Sequence, residues 1–575
     1  MRVAIFLSLS ILLVAAHGYA QGYKPPPPES YEAQALSYAL KLRKLRVDPH
    51  PMGKRVRKLH VVTLRVFSKR DRWLQFFNIF HWRTKEYIIE QEIVLRPGKM
   101  WDPERVKETE RRLRDPLFTS LVVSAPVQSP EPGTVDYLVV TRDMWSLRLN
   151  SNFEVQSDSA TGDSVLSLLL IAPSENNVFG YRKQAALVFD MDLGKYLIGP
   201  RYVDKNIAGT RLTLSARASA IFNRKTDKLE GSTSAAVLQY PFWRLSTRWS
   251  GGISLSQFNG VVRLFQGLDI YTFENPDTGN TLPYEYRLRQ LNIEPSAARA
   301  FGHKLIHRVR VGYRFASTRA SVLDDFPSTN PRDRDALLPR SERVSAPFLR
   351  YSLFTPEYRR YRNINTYDLA EDFQIGPSFQ AEASYGSKVL GSENEHVALS
   401  STLQWRADIG GGYAVASAGG YGRVQDGSLI DRRLELSAKV VGPEWFGLAR
   451  LVGRIGYSGR FHETQNRFFQ LGGSSGLRGY EIGAFSGTKR VLGNLELRTR
   501  PWRVWFSRVG GVAFWDGGGT ADHLGDLRFS NDVGLGLRAL LPQLSPLVYR
   551  LDMAFPLNGG TAGQPRFFLS FGQVF

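Results

Sequence analysis

Leu471-Gly472-Gly473-Ser474-Ser475-Gly476-Leu477-Arg478-Gly479-Tyr480 is the stretch on which the reading of this chain turns. Its glycines loosen the backbone beyond what a helix or strand tolerates, so it reads as a loop carrying a single guanidinium. Arginine is charged at every physiological pH and presents a planar fork of donors. On such a loop it suits two-point contact with a carboxylate, where lysine would supply charge without the fork. The stretch also satisfies the nucleophile-elbow spacing Gly472-x-Ser474-x-Gly476. Elbow chemistry needs a strand before the serine, a helix after it, and a later acid and histidine. No helical pattern follows here and His523 is the only later histidine, so the loop reading stands and no enzymatic activity is expected.

Outward from the loop the sequence alternates. Asn494, Glu496 and Arg498 share a parity opposed by Leu495 and Leu497; Leu434, Leu436, Ala438 and Val440 oppose Glu435, Ser437 and Lys439. Farther upstream, Leu214, Ala216, Ala218 and Ala220 oppose Ser215, Arg217 and Ser219. Charged residues on one face of strands about ten residues long, set between turn clusters, are the pattern of a membrane β-barrel. Residues 146–575 have room for about sixteen antiparallel strands, an even number as single-chain barrels require. Gly534-Leu535-Gly536-Leu537-Arg538 imitates a dinucleotide fingerprint but lies within such a strand, without a βαβ setting. Phe567, Leu569, Phe571, Gln573 and Phe575 share the outward parity of a final strand, and a strand between Trp145 and Glu154 is expected to pair with it across a seam.

Composition narrows the class. Met1-Arg2, the apolar run Val3 to Ala16 and the small residues Gly18 and Ala20 read as a signal peptide over residues 1–20, hence an exported chain. After it no apolar stretch approaches the length of a spanning helix, and only helices or closed barrels satisfy the backbone inside lipid. With no cysteine, disulfides, thiol nucleophiles and Cys-based metal sites are excluded. The nine histidines show no ligand spacing, and neither metal nor cofactor is expected. The net charge of +21 is spread through alternating segments rather than gathered in a patch, which argues against nucleic acid.

Residues 21–57 form a Pro-rich, basic leader with Pro25 to Pro28 and a short helix after Ser30. Twelve Lys/Arg between Lys41 and Arg72 face only Asp48 and Asp71, the mark of a solvated mobile segment or of contact with anionic headgroups. Residues 58–145 read as β-α-α-β-β. Val61 to Phe67 is a strand, Thr84 and Asp102 start two helices on either side of Arg96-Pro97-Gly98, and two strands close the unit. The insert Ser68 to Arg83, with Trp73, Phe76, Phe77, Phe80 and Trp82, reads as a long hairpin or an aromatic patch facing the membrane.

The Arg-Gly-Tyr loop resembles the Arg-Gly-Phe/Tyr loop of the BamA/TamA-like outer-membrane assembly-factor superfamily (the bacterial surface antigen family), which includes the two-partner-secretion transporters. Further motifs of that family follow in order: Asn494 to Arg498, Phe514-Trp515-Asp516-Gly517-Gly518, Val533 to Arg538 and Phe571-Gly572-Gln573-Val574-Phe575. Upstream, Glu175 to Gly180 and Tyr202 to Gly209 look like its early-strand signatures. The resemblance implies that 58–145 is a single POTRA-like periplasmic domain before an all-β transmembrane barrel. It also implies that the motif Leu477, Arg478, Gly479 and Tyr480 folds into the barrel, with Glu496 and Asp516 as the partners of Arg478. Alternation agrees for Glu496. For Asp516, whose parity is shared by Val512 and Phe514, it requires a bulge or a place at the rim. Phe567, Leu569, Phe571 and Phe575 would form the outward C-terminal barrel signal. The implied role is insertion or assembly of other outer-membrane proteins. The implied partners are outer-membrane lipids, unfolded polypeptide clients and accessory periplasmic or lipoprotein subunits. Polypeptide secretion in a two-partner system, or a passive porin or structural role, are the alternatives.

Overall fold

The computed structural model describes residues 23–575 except 29, 68, 116–117, 158–163, 542–546 and 560–561; the expected signal peptide lies outside the described residues. The chain divides into two compact units, one built on residues up to Ile79, Arg83–Met144 and Phe179–Tyr181, the other on Phe80–Trp82, Trp145–Val178 and Arg182–Phe575.

The first unit is a three-stranded sheet of β1 (Arg55–Leu64), β2 (Thr119–Gln128) and β3 (Thr134–Asp143) in the order β1-β3-β2. β3 runs parallel to β1 and antiparallel to β2. Helix α1 (Tyr31–Arg43), its N-terminus capped by the Ser30 hydroxyl, covers one face. There Ala35, Leu36 and Ala39 pack on Val62, Leu121, Val123, Leu138 and Val140. Helices α2 (Glu86–Glu92) and α3 (Pro103–Leu113) cover the other, where Ile89, Ile93 and Leu113 meet Val61, Val122, Tyr137 and Val139. A central strand covered on both faces needs an unbroken apolar run, which Val135 to Val140 supplies apart from Asp136. The leader thus contributes a packed helix rather than a solvated segment. The insert carries a 3₁₀ segment, Lys69–Phe80, not a hairpin, and Phe76, Ile79, Phe80 and Trp82 are exposed.

The second unit is one large antiparallel sheet of twenty-two strand segments, two of them (Glu357–Tyr361 and Trp502–Val504) short pieces beside turns. The remaining twenty exceed the sixteen expected, because turns as tight as 426–427 and 409–412 leave more of the chain to strands than long loops would. Neighbours in sequence are neighbours in the sheet, and the order places Arg566–Phe571 beside Leu147–Ser157. Leu495, Leu497, Trp515, Leu535, Leu537 and Leu551 stand exposed on one face, while Glu496, Asp516, Asp532, Arg538 and Asp552 are buried on the other. This inverts the arrangement of a water-soluble sheet. Among the described residues no helix is long and apolar enough to cross a membrane.

Candidate functional site

The strand Ala449–Phe461 enters a long connection that returns at Lys489–Thr499, and this connection folds inward. Gly472 starts the fold with φ 122°, and a Cβ there would lie 1.8 Å from the Glu481 carbonyl oxygen, so only glycine fits. Gly473 N–H donates to the Tyr480 carbonyl at 2.8 Å and closes the loop. Leu477 packs with Leu471, Tyr480 and Leu492. The Tyr480 hydroxyl reaches the main-chain oxygens of Asn531 and Asn558, each at 3.0 Å. Gly479 passes so close to the neighbouring strand that a Cβ would meet the Asp532 Cβ at 2.5 Å. The order Arg-Gly-Tyr therefore has a steric cause: an inward guanidinium, a residue without a side chain against the wall, and a ring that pins the exit.

Arg478 is 2% exposed. Its Nε and Nη2 donate to the two carboxylate oxygens of Asp516 at 2.7 and 2.8 Å, the two-point fork that its planarity suits. Nη1 donates to Glu496 at 2.9 Å and to Asp552 at 3.1 Å. The guanidinium carbon lies 3.4 Å from the centroid of the Phe514 ring, so cation–π contact closes the face that hydrogen bonds cannot reach. Asn494 ties the loop to the wall, its amide donating to Gly476 O at 2.8 Å and to Asp516 at 2.7 Å.

Both carboxylates implied for Arg478 are therefore brought to it. Asp516 needs neither a bulge nor a rim position: the register from Arg508 to Gly518 is unbroken, and Val512 and Phe514 are buried on the same face as Asp516. The apparent conflict of parity dissolves because the inward loop covers these residues and Phe514 is part of the site. Three members of the network were not anticipated. Asp552 bonds both Arg478 and Arg538, Arg538 lies 3.9 Å from Glu496, and Arg498 pairs with Glu496 at 2.7 Å. Asp552 was detectable as the lone acid between Leu551 and Met553 in an alternating strand. Arg538 was visible as a family motif, but its partner lies on another strand. Gly534 and Gly536 leave the room that the Phe514 ring and the Asp552 carboxylate occupy, which accounts for the false dinucleotide fingerprint. Among the described residues no group of side chains is arranged to hold a metal ion.

The C-terminal signal needs correction. Phe567 is 56% exposed on the apolar face, as expected, and Leu569 shares its parity. The strand ends at Phe571, whose side chain lies outside the described set. Gly572, at φ 80°, then turns the chain, and Phe575 packs inside the sheet against a buried cluster. Alternation carries parity only as far as the strand extends.

An antiparallel sheet with an apolar outside, a polar inside and an arginine loop folded into it defines a class of barrel proteins. Residues 434–575, the C-terminal part of the large sheet, match the model of the Omp85 superfamily domain. No curated protein matches the sequence. Similar solved structures include BamA from Haemophilus ducreyi lacking POTRA domains 1-3, with 13% identity, 90% of this chain and 84% of that chain covered, and TM-score 0.34. CdiB from Acinetobacter baumannii has 12% identity, coverage of 90% and 73%, and TM-score 0.39. CdiB from Escherichia coli has 12% identity, coverage of 91% and 76%, and TM-score 0.42.

Proposed function

We propose that this protein is an outer-membrane β-barrel that assists insertion or assembly of other outer-membrane proteins, acting through its seam and through a POTRA-like periplasmic unit. The observation that carries this reading is how the inward loop is tied. Besides the Arg478 network, its connection is bound to the segments at the same end of the sheet: Gly267 N–H donates to Ile482 O at 2.9 Å, the Tyr284 hydroxyl to Asn466 O at 2.8 Å, and Arg566 to Glu481 at 2.9 Å. A polypeptide leaving along the lumen would have to break these bonds together with a buried ionic node. A client strand pairing at the seam bears only on the last of them, since Arg566 starts the final strand, and leaves the bonds of Gly267, Tyr284 and Arg478 in place, which supports lateral assembly over axial secretion. In the N-terminal unit, β1 beyond Val56 pairs only with β3 among the described residues, leaving an edge on which an extended client can add by β-augmentation.

The test uses the absence of native cysteine. A disulfide engineered between Leu147–Ser157 and Arg566–Phe571 should abolish assembly of a client barrel by the purified protein in liposomes, and reduction should restore it. The barrel should keep its heat-modifiable migration in both states. Full activity with the seam locked would defeat the lateral reading and favour secretion through the lumen. Recovery of the protein in the soluble periplasm would defeat the membrane assignment itself.

A further inference from the structure

The strand Glu371–Gly386 outruns its neighbour at one end. Its pairing with His396–Asp408 stops at Gly376 opposite Arg406, and among the described residues 371–375 pair only with the short strand Glu357–Tyr361. The hairpin bends where it leaves the sheet. Pro356 has no N–H to give the ladder, and Gly376 sits at φ 93° with room for a Cβ only 2.4 Å from the Thr355 hydroxyl. That hydroxyl donates to Ile375 O at 2.6 Å. The tip, residues 362–370, is shaped by Glu371, whose carboxylate accepts the N–H groups of Ile364, Asn365 and Thr366 at 3.2, 3.0 and 3.0 Å. From there it reaches strands remote in the sheet order. Arg498 donates to Ile364 O at 3.3 Å, Asp368 pairs with Arg508, and Tyr367 packs with Leu540 and Val548. Gly510 leaves space for the ring, since a Cβ there would lie 2.8 Å from the Tyr367 hydroxyl. Ile364 and Tyr367 are buried. The arm lies at the end of the sheet where Leu147 starts the first strand, opposite the end that the Arg478 loop enters.

Beside the bend runs a row of cations. Arg406 stands opposite Val415, Val415 opposite Lys439, Lys439 opposite Arg454 and Arg454 opposite Asn494 on successive strands. Cross-strand partners share a face and Asn494 is buried on the inner one, so the row points inward. None of the three cations makes an ion pair among the described residues. Arg406 donates to Gln374 O at 2.9 Å and Arg454 to the Asn494 side-chain oxygen at 2.7 Å, while the Arg406 Nε is buried without a hydrogen-bond partner. The Arg406 guanidinium carbon lies 5.6 Å from the ring centroid of Phe373, a residue of the arm, and 5.1 Å from that of Tyr413. Ring faces return only part of what such charges lose when water leaves. We propose that residues 357–375 are an arm, hinged at Thr355 and Gly376, that covers a binding row for a small anion, and that a carboxylate, sulfonate or phosphate group enters when the arm lifts. Two guanidinium forks flanking an ammonium suit the oxygens of such a group, whereas a cation is repelled by all three. Lifting the tip breaks its contacts with Arg498, Arg508, Leu540 and Val548 and leaves the bonds of Arg478 in place. This goes beyond the assembly reading and does not rest on it.

The test places a cysteine in the row, Val415→Cys, in the full-length protein in detergent, where it is the only thiol. Its rate of reaction is measured with the anionic reagent sulfonatoethyl methanethiosulfonate and with its trimethylammonium counterpart, each relative to a small free thiol. With the arm in place both should react slowly. Adding Arg508→Asp, which sets a second carboxylate against Asp368, should raise the sulfonate rate several-fold. Gly510→Val, which crowds Tyr367 from a strand outside the arm, should do the same. In both backgrounds the sulfonate should outrun the cation, and Lys439→Gln should reduce that preference. Heat-modifiable migration confirms that each variant is folded. Equal rates with and without the arm variants, or a gain that does not favour the sulfonate, would overturn the proposal. Because the assay contains no client, its result is independent of the seam-locking experiment.

Discussion

The two sheets of this protein obey one rule of alternation and bury opposite residues. In the N-terminal unit Leu138 and Val140 face α1 and Tyr137 and Val139 face the other helices, so apolar side chains on both faces of the central strand leave water. In the large sheet Leu535 is 60% exposed while its neighbours in the strand, Asp532 and Arg538, are fully buried. A strand records only which residues differ in polarity along its length. What lies on each side, helices and water in one unit, lipid outside and a packed loop inside in the other, decides which set is core.

Substitutions that exchange the two environments test this contrast. The largest effect is expected for Arg478→Ala. It leaves Glu496, Asp516 and Asp552 without their shared partner, and breaking a buried pair costs about 3–5 kcal/mol. The temperature at which heat-modifiable migration is lost should fall, while a protease-resistant N-terminal fragment keeps its stability. The double exchange Arg478→Glu with Glu496→Arg should recover part of the loss. If Arg478→Ala migrates like wild type, the loop is not a structural tie.

Leu138→Ala should reverse the location of the damage. Emptying a wholly buried site in the water-facing unit costs about 2–5 kcal/mol, read as thermal unfolding of that unit with unchanged barrel migration. The contrast sharpens with Leu535→Arg. On a lipid-facing strand this costs about 2–4 kcal/mol at the bilayer midplane, measured by urea titration in liposomes, whereas Gln128→Arg at an exposed place in the first unit should stay within about 0.5 kcal/mol. Equal tolerance of arginine at both positions would remove lipid from the account. Within the large sheet the smallest effect is expected for Asp532→Asn, below about 1 kcal/mol, because Asp532 makes no ion pair among the described residues. Asp516→Asn, losing one arm of the fork, should be clearly worse by the same migration assay.

Alternation made the large sheet legible, and the spacing of glycines around Arg478 made the loop legible. Glu496 was readable because its strand is regular. Asp516 was harder, because Val512 and Phe514 are apolar residues on an otherwise polar face. Their burial depends on a loop arriving from elsewhere in the chain, which no local pattern records. Strand number was missed for a related reason: several hairpins close in two to four residues where glycine or aspartate permits, as at 426–427 and 409–412, and loop length is not written in the strands. The 3₁₀ insert and the packed α1 escaped because helix type and docking of a short, strongly basic segment depend on the surface it meets.

By itself the sequence determined the parity of each strand, the position of the inward arginine and the polarity of both sheet faces, since these follow from covalent geometry and local residue order. Tertiary structure alone decided that three arginines, one of them on the inward loop, share one network with three carboxylates on different strands, and that Phe575 turns inward. Both depend on distances between residues remote in sequence, Arg478 from Asp552 and Phe575 from Arg498, which only the folded path of the chain brings within hydrogen-bonding reach.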